Sequence, residues 1–125
     1  MIKRQYLSFK NAFSGLFFIL KSQTNFKIHI FLSIVAIFLG FILKINYYEW
    51  SIVVILITVG LAIEALNTII EEAMDLINDG WHEKIKIIKD MAAGVMLIFA
   101  FGSIFIAGLI FLPARAFCPF IPLPE

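Results

Sequence analysis

SIVVILITVGLAI (51–63), running without a break into EALNTIIEEAMDLI (64–77), is the stretch that decides the fold. Its first half is apolar apart from Ser51 and Thr58. Its second half keeps a helical pattern through Leu76 and Ile77, where Asn78-Asp79-Gly80 supplies a stop and turn signal. With Trp50 as an interfacial anchor, residues 50–77 are predicted to form one membrane-crossing helix. Glu64, Glu71 and Asp75 in its second half sit at offsets 0, 7 and 11, with Asn67 and Thr68 at offsets 3 and 4 and Glu72 at offset 8. At about 100° per residue, Glu64, Asn67, Thr68, Glu71 and Asp75 share one arc of roughly 100°, and Glu72 lies at its edge.

Depth gives this polar row its meaning. Counting about 1.5 Å per residue from Trp50, Glu64 lies roughly 21 Å into a hydrocarbon layer of about 30 Å, whereas Asp75 is beyond it. An ionised carboxylate at the depth of Glu64 costs a few kcal/mol, and it persists only beside water, a cation or a proton. A row leading from water into the inner leaflet suits a site that joins a water-soluble substrate to a lipid headgroup. Equally, such acids can pair with lysines across a bundle or carry ions through a pore.

The rest of the chain extends the same plan. Residues 28–45 are predicted to form an earlier crossing, its apolar run 28–43 flanked by Lys27 and Lys44, and residues 84–112 a later one. The crossings are separated by a turn at Asn46–Glu49 and by Asn78-Asp79-Gly80. Residues 5–21 place Tyr6, Phe9, Phe13, Leu16, Phe17 and Leu20 at three- and four-residue spacing, which predicts an amphipathic helix lying on the membrane surface. Residues 113–125 form a Pro-rich tail expected to be irregular. The amino-terminal segment is charged again at Lys21 and lacks a small-residue cleavage site, so it reads as mature structure. Lys3, Arg4, Lys10, Lys21, Lys27, Lys84, Lys86 and Lys89 fall on one side, and only Lys44 and Arg115 on the other. The amino terminus and the loop before the third crossing are therefore expected to be cytoplasmic.

Composition agrees. The chain has 125 residues, 62% of them apolar, against roughly 45–50% for soluble domains. So small a domain cannot hide that much apolar surface from water, and the excess must face lipid. A net charge of +1 and the absence of a basic, aromatic-interleaved stripe argue against nucleic acid as a partner. The single Cys118 excludes an internal disulfide. His29, one turn inside the first crossing, reads as a hydrogen-bonded interfacial residue rather than a metal ligand. At the start of the third crossing, Lys89-Asp90 precedes the small residues Ala92-Ala93-Gly94, which permit close helix approach. Lys89 can reach phosphate oxygens as a mobile point charge. Carboxylates beside it suggest Mg²⁺ bridging to nucleotide phosphates, since this cation prefers hard oxygens.

Glu64-Ala-Leu-Asn67-Thr68-Ile-Ile-Glu71-Glu72-Ala-Met-Asp75 resembles the E-x-x-N-[ST]-x-I-E-x-x-x-D signature of the prokaryotic diacylglycerol kinase family, which includes undecaprenol kinases. Lys89-Asp90-Met91-Ala92-Ala93-Gly94 matches its second motif, and residues 8–15 and 25–29 are similar to its amino-terminal segment, nearer the Gram-positive version. The resemblance implies an all-α integral membrane protein, with three transmembrane helices and a surface helix in each subunit of a homotrimeric bundle. It implies transfer of the γ-phosphoryl of ATP, with Mg²⁺, to a lipid alcohol at the cytoplasmic face of the inner (cytoplasmic) membrane. By position, Glu64 is then the general base with Asn67 beside it. Glu71 and the residue at position 23 hold the metal, and Arg4, Asp75, Lys89 and Asp90 meet the nucleotide. No Gly-rich phosphate loop is present, so a Walker-type or protein-kinase site is excluded.

The chain departs from that pattern at Gln23, where the family usually has a metal-binding Glu, and more mildly at Lys27, where it has Arg. A neutral amide oxygen attracts Mg²⁺ less, and Glu72 is the acid placed to compensate. Three readings follow: an ATP-dependent lipid kinase acting on undecaprenol or diacylglycerol, a catalytically weakened lipid- or nucleotide-binding relative, and a small oligomeric transporter.

Overall fold

The computed structural model describes residues 2–112, and the tail with Arg115 and Cys118 lies outside them. Four helices follow one another: α1 (Ile2–Ser22), α2 (Thr24–Leu43), α3 (Tyr47–Ile77) and α4 (Glu83–Phe111). There is no strand among the described residues. α2, α3 and α4 are each long and apolar enough to cross a membrane, which makes this a multi-pass, all-α membrane protein. α3 is the central element. It packs against α4 along one side and α2 along the other, while α1 meets the bundle mainly through α2.

Local chemistry sets the breaks. One extended residue, Gln23, separates α1 from α2. α2 ends where Lys44 takes the left-handed conformation, at φ 50°, and the Ile45 N–H donates to the Gly40 carbonyl at 3.2 Å. Asn46 then starts α3 with a capping box. Its side-chain oxygen accepts from the Tyr48 and Glu49 N–H groups at 2.9 and 3.0 Å, and Glu49 accepts from the Asn46 N–H at 2.7 Å. Tyr47–Glu49, expected in a turn, are therefore the first turn of α3. The α2–α3 corner is tight because Gly40 has no Cβ: one built there would lie 2.9 Å from the Trp50 ring. Trp50 also stacks obliquely on Phe41, with ring centroids 4.9 Å apart. The helices otherwise begin earlier than the periodicity placed them, α1 at Ile2 and α2 at Thr24.

Burial is inverted relative to a soluble protein. The buried apolar residues are Phe26, Val53, Ala92 and Ile110, while Phe31, Phe38, Phe101 and Phe105 point outward. In a membrane-spanning bundle such faces meet lipid or further helices rather than water. The buried residues of α3 are Val53, Gly60, Glu64, Asn67 and Thr68, a single face that begins apolar and turns polar.

Candidate active site

The inward face of α3 carries the polar row at three levels. At the deepest, Glu64 is 3% exposed, and its Oε2 lies 3.7 Å from Nε2 of His29 on α2. Phe26 is buried one turn earlier on the same helix.

Asn67 and Thr68, both buried, occupy the next turn. The Asn67 amide nitrogen donates to Glu71 Oε1 at 2.9 Å, and its Oδ1 is buried without a partner among the described residues. Such an orphaned acceptor awaits a donor, because a buried polar atom left unpaired costs about 1–3 kcal/mol. At this level Gln23, at the α1–α2 junction, donates its side-chain amide to Glu72 Oε1 at 3.1 Å. The outermost level joins α3 to α4, where Lys89 Nζ meets Asp75 Oδ1 at 2.5 Å. Asp90 is held at 2.6 Å by Lys86, one turn earlier on its own helix.

The fold thus brings Glu64, Asn67, Glu71, Gln23, Asp75 and Lys89 onto one ladder, about 16 Å long from Glu64 to Asp75. Arg4 is exposed on α1, and no acid lies within ion-pair distance of it among the described residues. Two members were not assigned to the site from sequence. From sequence Glu72 stands at the edge of the stripe, as the acid to compensate for Gln23, and His29 reads as an interfacial residue. Nothing in the periodicity of α2 points His29 at a particular acid on another helix.

Among the described residues, no group of three His, Cys, Asp or Glu side chains is arranged to hold a metal by itself. Mg²⁺ is usually held by one or two carboxylates and completes its shell with water and substrate phosphate oxygens. Glu71, Glu72 and the Gln23 amide offer hard oxygens of the right kind.

Below Glu64 the character changes. A cleft of about 330 Å³ opens between α2, α3 and α4. His29 and Ser33 mark one end; Leu32, Leu56, Ile57 and Ile104 line its length; Ile110 and Phe111 lie at the other end. Gly60 and Phe99 pack closely at its wall, for a Cβ at Gly60 would lie 2.7 Å from the Phe99 ring. The molecule is therefore a multi-pass membrane protein whose carboxylate ladder descends from the helix ends to an apolar cleft.

The sequence profile of the prokaryotic diacylglycerol kinase family matches residues 10–111. An undecaprenol kinase of Bacillus subtilis is 37% identical over 112 residues, covering 90% of this chain and 91% of that protein. A diacylglycerol kinase of Synechocystis is 31% identical over 108 residues, 86% of this chain and 62% of the relative. A diacylglycerol kinase of Helicobacter pylori is 30% identical over 97 residues, 72% of this chain and 76% of the relative. No solved structure matches the chain. The chain belongs to the prokaryotic diacylglycerol kinase family and is a lipid kinase.

Proposed function

We propose that this protein transfers the γ-phosphoryl of ATP to the hydroxyl of undecaprenol or diacylglycerol at the cytoplasmic face of the inner membrane. The observation that carries the reading is the position of Glu64: a lone buried carboxylate where a polar ladder meets an apolar cleft. A lipid alcohol with its chain in the hydrocarbon layer brings its hydroxyl to this level, and a carboxylate is the group to take the hydroxyl proton. Asn67, with its unpartnered Oδ1, orients the hydroxyl beside Glu64. Lys89, steadied by Asp75, supplies positive charge to phosphate oxygens, as phosphoryl transfer depends mainly on positioning and charge neutralisation. Asp90, holding Lys86, and Arg4 complete the nucleotide-binding set. When bound, Mg²⁺ supplies charge neutralisation on the triphosphate, and Glu71 and Gln23, with Glu72 beside them, are the residues to hold it.

The preponderance of Lys and Arg around α1 and the α3–α4 loop supports a cytoplasmic amino terminus and active site. α1, with its apolar stripe, lies along the membrane surface in this reading, and the active unit is a homotrimer. The test is phosphate transfer from labelled ATP by the purified protein in lipid vesicles containing diacylglycerol or undecaprenol. Labelled lipid phosphate is expected, and its absence with both alcohols, from a folded protein, rejects the reading.

A second reading, a weakened relative, draws on one observation: Gln23 ties up Glu72 through its amide nitrogen instead of offering a second negative charge. Transport finds less support. The polar row ends at Glu64 and the cleft beyond it is apolar, so the described residues carry no continuous polar path.

A further inference from the structure

We infer that His29 is a positioning residue of the phosphotransfer: from α2 it holds the Glu64 carboxylate at the polar end of the cleft and relays the hydroxyl proton outward. The inference rests on the kinase reading above and adds a residue to it.

The buried position of Glu64 creates the need. A base 3% exposed can take a proton once, but it must lose it before the next turnover, and water has almost no access to it. His29 is the only titratable side chain within ion-pair distance of Glu64 among the described residues, with Nε2 at 3.7 Å. Its side chain is 27% exposed against 4% for that of Glu64, and it stands near the start of α2 at the polar end of the cleft, so of the two it is the nearer to interfacial water. The gap exceeds a hydrogen bond, and contacts between catalytic groups tighten when substrate is bound. The backbone also fits: the Ser33 hydroxyl donates to the His29 carbonyl at 2.7 Å, leaving the imidazole free of that serine.

The surroundings leave few competitors. Along α3 the nearest acid is Glu71, which receives the Asn67 amide. On α2 the other charged group, Lys27, donates to the Lys21 carbonyl at 3.1 Å and is engaged there. α4 has no titratable residue after Asp90, so the part of it beyond that point cannot exchange a proton with the pair. Lys86, Lys89 and Asp90 are held in the ion pairs at the ladder's outer end. From α1, Gln23 at its end contributes a neutral amide to Glu72.

The step balances. The alcohol O–H breaks as its oxygen bonds to the γ-phosphorus of ATP, and the bond from that phosphorus to the bridging oxygen breaks to release ADP. The proton passes to a Glu64 oxygen and then to Nε2 of a neutral His29 that carries its hydrogen on Nδ1. The imidazolium turns away from Glu64, which is again a carboxylate, and loses the Nε2 proton to water. The neutral ring then carries its hydrogen on Nδ1, as at the start.

The test uses the full chain in vesicles with labelled ATP and undecaprenol or diacylglycerol. His29→Ala is expected to lower kcat by about tenfold or more, with KM for ATP unchanged, and added imidazole to recover part of the loss in a dose-dependent way. His29→Gln fills the site without a basic nitrogen. It should keep the fold, lose kcat, resist imidazole, and show one ionisation fewer in its kcat–pH profile. If His29→Ala fails to fold, His29→Gln alone decides through that profile. Wild-type kcat in either variant, or a loss in both with no imidazole recovery and an unaltered pH profile, overturns the inference while leaving the kinase reading intact. Absence of transfer by the wild-type protein overturns both.

Discussion

Replacing Glu64 by Gln changes one oxygen for an NH₂ at a site 3% exposed, so shape and packing are conserved while proton acceptance is abolished. Loss of a positioned general base typically costs 10²–10⁴ in rate, or about 3–5 kcal/mol of transition-state stabilisation at 1.36 kcal/mol per decade. The fold should not suffer. The variant loses a contact with His29 that is only 3.7 Å at its closest, and it no longer buries a group able to carry charge. Unfolding stability in a fixed detergent is therefore expected within about 1 kcal/mol of wild type. Glu64→Asp gives the complementary measurement. It keeps the carboxylate but withdraws it by about 1.5 Å, and misplacement by ~1 Å can cost about 10²-fold. The assay is initial-rate transfer from labelled ATP in vesicles at saturating lipid, alongside thermal unfolding of each variant. The order wild type, Glu64→Asp, Glu64→Gln is expected. A Glu64→Gln protein retaining more than about a tenth of wild-type kcat removes Glu64 from the role of base.

Gly60→Ala should leave stability nearly unchanged, because a helix gains about 1 kcal/mol from Ala while the new Cβ displaces the Phe99 ring. The displaced ring narrows the cleft, so KM for the lipid should rise with KM for ATP constant; equal KM for lipid would separate the cleft from substrate binding. Lys89→Ala is expected to lower kcat by about 10²-fold or more through lost phosphate neutralisation. Its ion pair with Asp75, partly exposed on both sides, should couple by only about 0.2–1 kcal/mol in a double-mutant cycle of unfolding. A large stability coupling with unchanged kcat would mark the pair as structural. Gln23→Glu should lower the Mg²⁺ concentration for half-maximal activity and, without Mg²⁺, reduce thermal stability because the new carboxylate faces Glu72. An Mg²⁺ titration that does not shift argues against a metal at that level.

The crossings were legible because length, apolar content and period are properties of a single segment. The inward turn of Glu64, Asn67 and Thr68 was legible for the same reason, since one helical arc contains them. What faces them was not. Gln23 and Glu72 are 49 residues apart, and Lys89 and Asp75 are 14 apart. Such pairs depend on how α2 and α4 rotate about α3, which hydropathy leaves open when helices are apolar all round. His29 is the clearest case, because its local surroundings fit an interfacial histidine and only the packed helices bring it to Glu64. The start of α3 was obscured differently. Asn46 and Glu49 have the spacing of a capping box, but the polar composition of that corner looks like a turn.

The distribution of contacts along the ladder separates chemistry from structural pairing. If these acids served only to hold helices together, the deepest charge should have the closest partner, because burial without compensation costs most there. The order is reversed. Asp75, whose side chain is 55% exposed, has a cation at 2.5 Å, while Glu64, whose side chain is 4% exposed, has among the described residues only an imidazole at 3.7 Å. Between them Asn67 gives its amide to Glu71 and keeps a buried oxygen unused. Deep groups with unspent capacity and outer groups already satisfied support the proposed reading, in which a hydroxyl is received at the inner end. An arrangement optimised for stability alone would have placed an apolar residue, or a carboxylate with a close partner, at position 64.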